Sequence, residues 1–160
     1  MQQTDWLLIR WLAAGLLALK VLDDFFATAL TIAYRVGASR VAEALGGATP
    51  GDDYRRFIPL MEAVPAWLHG LWVSAGLLYL AAIAGIVRRR TGVHILVLVA
   101  VGIEVVATLA GRAIAASTGV VPNPDAGGPA DVVRLVLPLL LALVLWQSGR
   151  RTLPPTSAAR

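Results

Sequence analysis

The chain has no cysteine, only two histidines and two methionines, and charged side chains at only 15% of its 160 positions. Without thiols there are no disulfides, thiolate nucleophiles, iron–sulfur clusters or cysteine-bound zinc. Also missing are a phosphate-cradling glycine loop, a metal-ligand cluster and a Ser/His/Asp set, so neither enzyme chemistry nor a cofactor is expected. Ordinary soluble domains carry about a quarter charged residues. A chain with 58% hydrophobic residues and mean hydropathy +0.71 falls instead in the membrane class. Its net charge of +4 does not point to nucleic acid, because the arginines cluster beside apolar runs and form no basic stripe with interleaved aromatics.

Four apolar stretches fill most of the sequence. Crossing about 30 Å of hydrocarbon takes roughly 20 helical residues, and the runs predict helices over about 6–35, 65–87, 93–116 and 129–148. The second carries no formal charge, and the fourth is the shortest, apolar from Val132 to Gln147. The expected fold is an all-α bundle of four transmembrane helices in one domain, 1–151, followed by a short solvated tail, 152–160.

Charge orients such a bundle, since Lys and Arg are retained on the cytoplasmic side. "RRRTG", Arg88 to Gly92, joins the second and third runs, and the tail carries Arg150, Arg151 and Arg160. The loop "STGVVPNPDAGGPAD" has no basic residue, so both termini are expected to be cytoplasmic. In the long first loop Arg35, Arg40, Arg55 and Arg56 are accompanied by Glu43, Asp52 and Asp53. Its first part, "LTIAYRVGASRVAEAL", either extends the first helix or forms an interfacial helix, while "GGATPGDDYRRF", Gly46 to Phe57, is turn chemistry. A signal peptide is disfavoured, because Arg10 falls inside the apolar run and no small-x-small cleavage site follows.

Six of the charges within the apolar runs form a candidate set. Counting about 1.5 Å per residue from Trp6 puts Lys20 about 21 Å up and Asp23 and Asp24 about 25 to 27 Å up; from His94, Glu104 lies at about 15 Å and Arg112 at about 27 Å. Arg134 falls about 7 Å below the outer face. Lys20, Arg112 and Arg134 balance Asp23, Asp24 and Glu104, three against three. Buried charges in lipid face the bundle interior and pair with one another. The expected network therefore joins Asp23 or Asp24 to Arg112 or Arg134, with Lys20 leaning toward Glu104. The alternatives are snorkelling of the two arginines to headgroups and a protonated Glu104 hydrogen-bonded to a neighbouring helix.

Trp6, Trp67, Trp72 and Trp146 suit the interfacial belt as anchors. His69 is a candidate ligand for a pigment or haem, although His94, at the opposite end of its own span, is too far away to complete a bis-histidine site. Small residues recur four apart at Ala81/Gly85 and Ala107/Gly111/Ala115, a spacing that lets helices approach closely.

At "MEAVPAWLHGLW", "IVRRRTGV" and "LPLLLALVLWQSGRR" the chain resembles a group of uncharacterised bacterial four-helix membrane proteins of similar length. The shared features are Glu62, Ala63, Pro65, Ala66 and Trp67 at the start of the second span, the basic turn after it, and a fourth span with Pro138 early and Trp146 before arginines. The likeness covers roughly residues 60 to 151; the loop from Arg35 to Phe57 and the Lys20, Asp23, Asp24 set depart from the pattern. It implies a multi-pass protein of the bacterial inner membrane and brings no catalytic residue. The expected role is helix packing, as an accessory or structural subunit of an inner-membrane complex or as a small oligomer, with lipids and a membrane-protein partner or a second copy as its contacts. The other readings are a small oligomeric transporter or channel using Glu104 with Asp23, Asp24 and Arg112, and a pigment-binding subunit using His69.

Overall fold

Helix α1, Gln3–Arg35, is 33 residues long, roughly 50 Å at about 1.5 Å per residue. It stops where the backbone can turn left-handed: Gly37 has φ +73°, and Ala38 N–H donates to Ala33 O at 2.9 Å while Gly37 N–H donates to Tyr34 O at 3.1 Å. That pair of bonds is the Schellman closure of a helix end. α2, Ala66–Val87, starts after Pro65, whose extended backbone (φ −71°, ψ 153°) suits a helix entrance. α3 spans Val93–Thr118 and α4 spans Pro129–Arg151. The computed structural model describes residues 3–38, 40–41, 44, 62–119 and 129–151, and among these there are four helices and no strand. The expected turn at Gly46–Phe57, most of the expected interfacial segment, the loop 120–128 and the tail 152–160 lie outside the described residues.

The turn between α2 and α3 is built like the end of α1, with Arg90 N–H on Gly85 O at 2.9 Å and Arg89 N–H on Ile86 O at 3.1 Å. Here the left-handed position is taken by Arg89, φ +54°, and not by glycine. This tight reversal lays α3 antiparallel on α2. Gly85 allows the approach, since a Cβ there would sit 2.8 Å from Val93 Cγ2. The contacts Gly76 with Phe25 and Gly111 with Leu68 set the same antiparallel register for α1/α2 and α2/α3.

In the resulting ring α1 packs on α2, α2 on α3 and α3 on α4, while α4 closes on α1 through the thinnest seam. The main core gathers Ala13, Leu17, Tyr79, Ala82, Val97 and Leu141 among others, largely toward the arginine-turn end. A second, smaller cluster of Val64, Leu68 and Ala107 lies toward the opposite end, called the far end below. α4 contributes only its later part, Pro138 to Leu145, while Val132, Val133 and Val136 are exposed.

The surface reverses that of a water-soluble bundle. Leu8 is 73% exposed, Leu22 65%, Leu109 61% and Leu140 54%, whereas Glu104 is 3% exposed. Soluble proteins rarely show such continuous apolar area. α2 and the Val93–Ser117 stretch of α3 are each long and apolar enough to cross a membrane.

Candidate functional site

The buried stripe of α1 changes character halfway along. Ala13, Ala14, Leu17 and Val21 supply its first half; Asp24, Thr28 and Thr31 continue it at the same three-to-four residue spacing. At the junction, Lys20 Nζ lies 2.6 Å from Asp24 Oδ1, one turn on, and 2.6 Å from Glu104 Oε1 on α3. From α2 the Tyr79 hydroxyl donates to Glu104 Oε2 at 2.9 Å. Three helices therefore meet at one polar point, and both Tyr79 and Glu104 lie within about a turn of the middle of their helices.

Enclosure makes these contacts count. Tyr79 is fully buried, and the side chains of Lys20, Asp24 and Glu104 are 14%, 9% and 4% exposed. Removed from water, a charge is held only by its partners, and an unmade contact costs far more than at a surface. The set is uneven, with one ammonium against two carboxyls. Asp24 Oδ2 is buried without a hydrogen-bond partner, and Glu104 Oε1 meets Lys20 as an ion pair without an aligned donor.

Asp23, the very next residue, is rotated off this stripe. Its Oδ1 accepts from Arg134 Nη2 at 3.3 Å, and the two side chains are 44% and 57% exposed. Pairs of that exposure contribute roughly 0–1 kcal/mol. Of the expected contacts, Asp23 with Arg134 and Lys20 with Glu104 are both made, in two groups that differ in enclosure, while Arg112, two turns beyond Glu104 on α3, is exposed. The Lys20 ammonium reaches Glu104 across the bundle.

Beyond the cluster the buried side of α1 is mixed, Thr28 and Thr31 alternating with Leu30 and Ala33. Thr28 Oγ1 donates to Asp24 O at 2.9 Å and Thr31 Oγ1 to Ala27 O at 3.0 Å, both from buried side chains. On α2, His69 is buried, with its ring edge-on to Trp72 at 5.3 Å and 61°, and neither ring nitrogen has a hydrogen-bond partner. At the rim, Tyr34 OH donates to Glu62 Oε1 at 3.0 Å, Arg35 donates to the Val64 carbonyl, and a cavity of about 480 Å³ opens between Tyr34, Arg35, Gly37 and Glu62.

Of the expected anchors, Trp67 is exposed, Trp72 is half-buried against His69 and Trp146 is at the exposed margin; the Trp6 side chain lies outside what the structure describes. Among the described residues no three His, Asp or Glu side chains gather as metal ligands. Sequence reasoning missed Tyr79, Thr28 and Thr31. The signal was available for Tyr79: a tyrosine in the middle of a charge-free apolar helix needs a partner for its hydroxyl. Comparison with protein-family models, curated proteins and solved structures returns no match for this chain.

Proposed function

We propose that the chain is a multi-pass protein of the bacterial inner membrane, with four crossings and both termini in the cytoplasm. It works through helix packing, as an accessory or structural subunit of a larger assembly or as a small oligomer. The observation that carries this reading is the inverted surface, with leucines and valines outward on all four helices and Lys20, Asp24 and Glu104 inward. α1 fits a crossing because its buried charges are turned into the bundle, where polar groups in lipid find partners. Its outer leucines and the exposed part of α4 are apolar surfaces for lipid or a neighbouring helix.

Two measurements test it. The chain lacks cysteine, so Arg89→Cys and Asn123→Cys each create a single label site. A membrane-impermeant thiol reagent added to intact cells is expected to modify Asn123→Cys and spare Arg89→Cys; the reverse pattern, or extraction of the protein by carbonate, overturns the topology. Purification in mild detergent is expected to recover a partner or a homo-oligomer, and a clean monomer overturns the subunit role.

A second reading, a small oligomeric transporter or channel, draws support from the uneven charge of the enclosed cluster. Flux into proteoliposomes that survives Glu104→Gln unchanged rules it out.

A further inference from the structure

We infer that Asp24 and Glu104 share one exchangeable proton opposite Lys20. The inference rests on the membrane reading above and goes beyond it by giving the cluster a ligand.

The first step is charge balance. Lys20 touches both carboxyls at 2.6 Å, and all three side chains are enclosed. With both carboxyls ionised the site carries one uncompensated negative charge, which an apolar surround does not tolerate. α4 supplies no compensating cation from its packed face, which brings Leu141, Ala142 and Leu145, while its Arg134 is engaged with Asp23 outside. Tyr79 is already donating to Glu104 Oε2. One added proton makes the site neutral, and two acceptor atoms stand ready for it, Asp24 Oδ2 and Glu104 Oε1. Two carboxyls crowded at one site commonly hold a single proton between them.

The second step is the surround. α1 and α2 run antiparallel with Phe25 on Gly76 and Arg35 on Val64, a register that sets His69 level with Thr31. Each threonine hydroxyl spends its proton on a carbonyl one turn back, so neither is a donor to Asp24 or Glu104, and the added proton is held by the two carboxyls themselves.

The test uses the full chain reconstituted in vesicles of zwitterionic phospholipid, reading the carbonyl stretch of protonated carboxyl groups by infrared spectroscopy. Wild type is expected to show one enclosed protonated carboxyl per chain, Asp24→Asn and Glu104→Gln none, and Lys20→Met two. A band that persists in Asp24→Asn, as an isolated glutamic acid would give, or no band in wild type, overturns the shared proton. Vesicle flotation reports insertion separately, so loss of the membrane reading is distinguishable from loss of the proton site.

Discussion

The two halves of the bundle differ in what they bury although the same helices cross both. From the arginine turn to Leu17 the core is Ala13, Ala14, Leu17, Ala82, Ile86, Val93 and Val97, closed by the later part of α4. From Lys20 to Arg35 the polar groups Asp24, Thr28, Thr31, His69, Tyr79 and Glu104 are set among Leu30, Ala33, Leu68 and Ala107, and α4 leaves Val132, Val133 and Val136 exposed. Shape complementarity holds the first half; partner satisfaction is added to it in the second. The lesson is that substitutions should fail for different reasons in each, by volume in one and by stranded charge in the other.

The largest effect is expected from Lys20→Met, which leaves two carboxyls facing each other without a cation. It should cost about 3–5 kcal/mol, the usual penalty for breaking a buried charge set, read as unfolding in detergent by added denaturant. Tyr79→Phe removes one hydrogen bond to a buried carboxyl and should cost about 1.5–3 kcal/mol in the same assay. In the apolar half, Gly85→Ala drives a Cβ to 2.8 Å from Val93 Cγ2 in a tight turn, for about 1–3 kcal/mol. Gly76→Ala meets the Phe25 ring edge at 3.3 Å and should cost less, because the ring can shift by the few tenths of an ångström required; equal melting temperatures for the two glycine variants would count against a tightly packed turn end. Smallest is Asp23→Asn, at less than about 1 kcal/mol, since that carboxylate and Arg134 stand in the open. If Asp23→Asn proved as costly as Lys20→Met, the separation of an enclosed cluster from a rim pair would not hold.

Four helices were legible because each apolar run is long and each break is chemically marked, by "RRRTG" for α2/α3 above all. That Lys20 leans toward Glu104 was legible as well, since a midspan glutamate demands a cation within reach. What depth counting lacked was rotation. Asp23 and Asp24 differ by about 100° around the helix, and only Asp24 stands four residues from Lys20, so one turns in and its neighbour turns out. Thr28 and Thr31 carry no charge and vanish inside an apolar run, and their burial emerges only when the stripe through Lys20 is followed to Arg35. His69 was singled out as a ligand candidate, but its level with Thr31 depends on the α1/α2 register, which no local pattern encodes.

Single-cysteine accessibility in the reconstituted membrane compares the halves most directly. A small water-soluble thiol reagent supplied on the far-end side should modify Gly37→Cys and Glu62→Cys, which line the open cavity, and leave Leu17→Cys and Ala82→Cys unreacted. Equal reaction in the two halves, or modification of Leu17→Cys alone, would contradict a bundle that is polar toward one face and sealed toward the other.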